Sequence, residues 1–203
     1  AIASFVYMGR LVDWKRVDLL LRAFARASAQ VRMRLVIIGN GAEEATLRDL
    51  ARQLNVLAPV DTSPGVAFAG WLSQAQCAQR LRDSDCLVLP SILECGGAVV
   101  LEAMAMGKPV IATAWGGPLD YLDASCGILV PPSGADALVE GLAAAMVRLA
   151  ASPQERAALG GAGRAKVLRE YDWDVKVARV LEIYAEAMGR SERESSGKRN
   201  VRR

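Results

Sequence analysis

The chain predicts an α/β fold: a parallel sheet of about six strands flanked by helices, with a helical C-terminal segment. Three observations carry this. Short apolar runs alternate with amphipathic stretches from residue 4 to residue 130, the pattern of strands joined by right-handed crossovers. After residue 130 the strand-type runs stop and only helix-type periodicity remains. With 203 residues, 52% hydrophobic and 23% charged, the chain is long enough for one well-buried domain and short for two.

The first strand is expected at 4–8, followed by a helix at 18–29 in which Leu19, Leu20, Ala23 and Phe24 recur at helical spacing. A strand at 34–38 leads to a helix at 43–54, with Leu47, Leu50 and Leu54 on one face. Residues 56–65 hold Pro59, Asp61, Ser63 and Pro64 and read as a loop before a third strand at 66–68. Strands at 86–89, 110–113 and 127–130 follow, with helices filling the gaps. Helices at 135–150, 153–171 and 173–188 complete the chain, and Ser152-Pro153 is a favourable helix start. Residues 1–188 therefore form one domain, and 189–203 read as a solvated, disordered basic tail.

Composition narrows the chemistry. No apolar run reaches the length of a membrane span, since the longest, CLVLPSIL, is broken by Pro90. The opening AIASFVYMGR reads as a strand without a secretory signal or an initiator Met, as in a piece of a longer protein. There is no histidine, which excludes Ser-His-Asp and Cys-His catalysis within the chain, and the four cysteines form no CxxC pair. A reducing, cytoplasmic compartment is the expected home. Residues 189–203 carry six Lys/Arg and two Glu, and removing their net +4 from the whole chain's +3 leaves −1 for residues 1–188. A nucleic-acid footprint on the folded part is not expected; a weak contact of the tail with the inner face of a membrane is the alternative use of its charge.

In open α/β sheets ligands lie beyond the carboxyl ends of the strands, so the loops there carry the functional reading. The segment SILECGGAVVLEAMAMGKPV holds Glu94 and Glu102 on either side of Gly96-Gly97 and an apolar helix. The glycines let backbone approach a ligand, and a helix start near Gly97 turns unpaired N–H groups toward an anion. Glu102 lies about 7.5 Å along that helix, too far for the same phosphate but within reach of a ribose, whose hydroxyls are donors to a carboxylate. Glu94 could hold sugar hydroxyls in the same way. Gly9-Arg10, with Lys15 following, places a guanidinium fork and an ammonium where a pyrophosphate could be held. Gly39-Asn40-Gly41 permits a turn close to a ligand but is not a dinucleotide fingerprint, because Glu44 replaces the third glycine. Gly70-Trp71-Leu72 could read a base edge, unless Trp71 covers the core. Asp83 and Asp85 precede a strand rather than follow one and read as turn residues, not metal ligands. Gly116-Gly117 either brings backbone to a sugar or makes a turn.

Together these residues resemble the C-terminal, donor-binding half of the large family of retaining glycosyltransferases with the GT-B fold. The matching runs are Gly9-Arg10 with Lys15, LVIIGNG, FAGWL, DCLVLPSILE, LEAMAMGKPVIAT, the glycine pair after the fifth strand, GILV with PP, and YDW, in unbroken order over about residues 4–188. The resemblance implies a Rossmann-like domain that binds a UDP- or GDP-linked sugar. It implies that Arg10 and Lys15 bind the pyrophosphate and stabilise the leaving nucleoside diphosphate, that Glu102 binds the ribose, and that Glu94 holds the transferred sugar. Gly9, Gly96 and the amides of Gly97, Ala98 and Val99 would form the phosphate cradle, and Leu72 would offer backbone contacts to the base. No bound metal is expected, because cations and helix dipole take its role.

Retention is expected by attack on the same face, with the departing phosphate deprotonating the acceptor; a covalent intermediate on Glu94 is the rival. Two departures stand out: the usual Glu-Gly-Phe-Gly is Glu94-Cys95-Gly96-Gly97, and Arg16 follows Lys15 where glycine is usual. The family's acceptor site belongs to an N-terminal domain absent from these residues, onto which a closing helix at 171–188 would cross, so the chain alone is expected to bind donor without transferring it. Synthesis of surface polysaccharide is typical of the family. The alternative is a non-catalytic nucleotide-binding or regulatory module on the same fold, against which the intact Arg10, Lys15, Glu94 and Glu102 argue. A pure interaction domain using the helical C-terminal part would have no nucleotide affinity.

Overall fold

The structure, a computed structural model, describes residues 2–58 and 64–199, with side chains through residue 188. Six strands, β1 (Ala3–Met8), β2 (Met33–Ile38), β3 (Gly65–Gly70), β4 (Cys86–Leu89), β5 (Val110–Thr113) and β6 (Gly127–Val130), form one sheet in the order β3-β2-β1-β4-β5-β6. Every pairing is parallel. All residues of β1, β4 and β5 are buried, which is why these strands are continuous apolar runs rather than alternating ones.

Helices α1 (Val17–Ser28), α2 (Glu44–Gln53), α3 (Gln74–Arg82), α4 (Ala98–Ala105) and α5 (Pro118–Tyr121) connect the strands, and α6 (Ala135–Ala151), α7 (Pro153–Glu170) and α8 (Trp173–Arg199) follow the last. A short 3-10 turn, Asp13–Lys15, precedes α1. α1 buries Leu19, Leu20, Leu21 and Phe24 and packs against α6, whose Leu138, Val139 and Leu142 are also buried. α3 starts at a capping box: Ser73 Oγ accepts the Gln76 amide at 3.4 Å, and Gln76 Oε1 accepts the Ser73 amide at 2.9 Å.

Two boundaries differ from expectation, the first for a tertiary reason. β3 takes in Gly65 and Gly70, turn-type residues by composition, because β2 offers paired positions from Arg34 to Ile38 that capture both. α8 continues through residues 189–199, where charge and composition suggest a disordered tail; residues 200–203 lie outside the described residues, as do 59–63 of the loop expected at 56–65.

The chain divides into two compact units, Ala1–Ala165 and Lys166–Arg203. The first contains the whole sheet. In the second, Trp173, Val177, Leu181, Tyr184 and Met188 recur along α8 at helical spacing, and all five are exposed, Trp173 at 82%. Among the described residues no helix is long and apolar enough to cross a membrane.

Candidate functional site

The sheet order reverses direction between β1 and β4, and a crevice opens at such a point where neighbouring crossovers leave in opposite directions. β1 and β4 are hydrogen-bonded parallel neighbours, Phe5 beside Cys86 and Val6 beside Leu87, so their following loops emerge together. This brings Lys15 to Glu94 across 79 positions of sequence in a direct ion pair of Nζ with Oε2. Both side chains are largely buried, 17% and 10% exposed. The loops are also joined through backbone, the Ile92 amide donating to the Trp14 carbonyl at 3.0 Å.

The second oxygen of Glu94 faces the start of α4. Gly97, the N-cap, has φ +62° and ψ +46°, a left-handed conformation natural to glycine, and its amide donates to Glu94 Oε1 at 3.1 Å. The first-turn amides that follow, those of Ala98 and Val99, are of the kind a helix leaves without an intrahelical partner. Glu94 is held from behind as well. The Gly117 amide donates to its carbonyl at 3.2 Å, and a Cβ on Gly116 would come within 1.8 Å of that oxygen. The glycine pair after β5, read as either approaching a sugar or forming a turn, thus abuts the Glu94 backbone.

The Gly9-Arg10 loop is supported by a residue that spacing did not single out. Tyr7, fully buried in β1, donates its hydroxyl to the Arg10 carbonyl at 2.9 Å. Burial first, and then the nearby Glu94 charge, push its phenol well above the ordinary value. A buried tyrosine two residues before a strand-end glycine was the available signal, since its hydroxyl must find a partner. Arg10 itself is exposed. Gly39 packs under the same loop: its amide donates to Gly70 O at 2.8 Å, and a Cβ there would lie 1.9 Å from Gly9 O. At Gly39 and Gly41 the absence of a side chain also admits a close approach of neighbouring backbone.

Glu102 is exposed on α4, and its charge, after burial, contributes to raising the Cys77 thiol in the first turn of α3. Cys77 Sγ in turn lies 3.7 Å from the Leu72 carbonyl. Leu72, half-buried, thus borders Cys77, and Glu102 is near enough for its charge to act on the same thiol. Trp71 is 71% exposed and does not cover the core. Asp85 lies at the opposite end of the sheet, where Oδ2 accepts the Ser4 amide at 2.8 Å, and Asp83 accepts from Gln79, so both are structural. A groove of about 600 Å³ beside α1 and α2, lined by Asp13, Arg16, Leu47 and Leu50 among others, includes none of Arg10, Lys15, Glu94 or Glu102.

Arg16, in the place of the expected glycine, adopts φ +51° and ψ +38° between the 3-10 turn and α1. The backbone there has the conformation glycine favours, and Arg16 holds it while its guanidinium forks onto Asp18 at 3.0 and 2.9 Å.

The family model described as Glycosyl transferases group 1 matches residues 3–165. The chain is similar to the GDP-mannose-dependent monoacylated alpha-(1-6)-phosphatidylinositol monomannoside mannosyltransferase of Corynebacterium glutamicum, 34% identical over 86% of this chain and 45% of that protein. It is 33% identical to a D-inositol 3-phosphate glycosyltransferase of Streptomyces bingchenggensis, over 90% of this chain and 40% of the other. Among solved structures, sucrose-phosphate synthase from Thermosynechococcus elongatus superposes with a TM-score of 0.76 at 28% identity, covering 93% of this chain and 46% of that one. The chain thus spans rather less than half the length of these relatives.

Proposed function

This chain belongs to the glycosyl transferases group 1 family, and we propose that residues 1–165 bind a nucleoside-diphosphate sugar whose pyrophosphate sits between the β1 loop and the start of α4. The observation that carries the reading is the convergence of Lys15, Glu94 and the Gly97 amide at the sheet's reversal point, with Arg10 on the adjoining loop. Cations and helix amides there would take the charge of the leaving diphosphate without a bound metal. Glu102 would hold the ribose hydroxyls, and Glu94 those of the sugar. Base contacts would come from the backbone at Leu72.

We infer transfer with retention, the departing phosphate accepting the acceptor's proton. We assign Glu94 to holding sugar hydroxyls rather than to attack on carbon, because a carboxylate is an acceptor only and the hydroxyls are its natural donors. The acceptor would be held by a further domain within the remaining length of such enzymes, and the exposed apolar row of α8 offers a surface for it. A UDP or GDP donor fits this scheme, and the GDP-mannose dependence in the name of the Corynebacterium relative supports the latter.

Calorimetric titration with UDP, GDP, ADP and their sugar conjugates tests the site. Saturable binding of one diphosphate, weakened about tenfold or more by both Arg10→Ala and Glu102→Ala, is expected from the loss of one charge-assisted contact each. Binding indifferent to both substitutions would refute the assignment.

A further inference from the structure

Glu94 occupies two of the groups suited to a phosphate. Its Oε2 is paired with Lys15, and its Oε1 takes the Gly97 amide at the N-terminus of α4. A diphosphate entering this crevice meets a carboxylate already seated on its cation and its amide. The backbone of Glu94 is fixed by the Gly117 amide and by the close approach of Gly116, so only the side chain is free to leave.

We propose that Glu94 is a built-in stand-in anion that makes the site discriminate between a sugar-bearing donor and the bare nucleoside diphosphate; this rests on the donor-site reading above. When the donor enters, its phosphate displaces the carboxylate from Lys15 and Gly97, and the sugar hydroxyls donate to the displaced carboxylate, offsetting the lost contacts. A bare diphosphate displaces the same carboxylate but offers it no donor, so Glu94 is left beside phosphate as a like charge. Once the sugar has been transferred, the product is in that position. Return of Glu94 to Lys15 and Gly97 then favours release of the diphosphate. No bond is made or broken on Glu94 in this cycle; it exchanges hydrogen-bond partners only.

The test is titration of the chain and of Glu94→Gln with UDP and GDP and with their sugar conjugates. Glu94→Gln removes the charge and keeps the shape. The expected result is that the bare diphosphate binds the variant about three- to tenfold more tightly, while the preference for the conjugate over the diphosphate shrinks. Unchanged or weaker diphosphate binding by a folded Glu94→Gln, with normal binding by the parent, would overturn the stand-in role and leave the donor site intact. Failure of the parent to bind any of the ligands would remove both readings.

A second measurement does not depend on the variant folding. In the parent, the Gly97 amide resonance should move on saturation with whichever diphosphate binds, as its acceptor changes from carboxylate to phosphate. A resonance that stays in place would also overturn the proposal.

Discussion

Gly39→Ala is expected to damage both stability and the ligand loop, through a clash that the structure locates. The new Cβ would lie 1.9 Å from the Gly9 carbonyl oxygen, whereas an unstrained carbon–oxygen contact is about 3.3 Å. The two loops must then part by more than an ångström. They are held by the hydrogen bonds Gly9 N to Ile38 O at 3.0 Å and Leu11 N to Asn40 O at 2.9 Å, which that movement strains or breaks. Losing these at about 1 kcal/mol each, and placing Ala at φ +133° for about 1–3 kcal/mol, gives roughly 3–5 kcal/mol.

Gly134→Ala supplies the control. Gly134 has nearly the same φ, +123°, but nothing within 4 Å of the position a Cβ would take, so only the dihedral cost of about 1–3 kcal/mol applies. In urea, with a slope of about 2 kcal/mol per molar, the midpoint should fall by roughly 1.5–2.5 M for Gly39→Ala and by about 1 M less for Gly134→Ala. Nucleotide affinity should fall in the first variant alone, because its clash displaces the backbone that carries Arg10. Equal midpoint shifts in the two variants would refute the packing argument.

Arg16→Gly should be neutral to stabilising by up to about 1 kcal/mol, since relief of the left-handed backbone outweighs a half-buried, solvent-screened ion pair with Asp18, read as the shift in urea midpoint; a clear loss of stability would show that the fork matters more than the backbone. Tyr7→Phe should lower the melting temperature by about 2–4 °C for one lost hydrogen bond. Because the folded phenol is raised above its unfolded value, its contribution is complete below about pH 10 and is lost as pH climbs toward the folded value, at about 1.4 kcal/mol per unit. Parent stability should therefore fall more steeply than that of Tyr7→Phe in alkaline denaturant series, and parallel profiles would contradict this. The exposed Cys95 should be alkylated in the native state, whereas the buried Cys86, its thiol pushed up by burial, and the buried Cys126 should react only on unfolding, as mass spectrometry of peptides would show. Native modification of Cys86 at a rate like that of Cys95 would contradict its position in the sheet.

The features legible from residue order are local ones. The apolar runs of β1, β4 and β5, the amphipathic faces of α1 and α2, and the Gly97 helix start with Glu94 before it and Glu102 within it all follow from side-chain period and turn chemistry, which act over a few residues. Family resemblance then indicated which of these residues to group. The tertiary structure decided the partnerships. Lys15 meets Glu94 because β1 lies beside β4, a pairing set by the whole sheet rather than by any segment. The same nonlocal order places Gly39 under Gly9 and Gly116 against Glu94, so glycines that composition alone reads as ligand loops or plain turns also serve as spacers between neighbouring loops. Tyr7 has the pattern of an ordinary buried strand residue, and its role comes from the hydroxyl that holds the Arg10 carbonyl. Periodicity specifies which face of an element is buried. Which loops converge at the edge of a parallel sheet depends on the order in which distant strands pair.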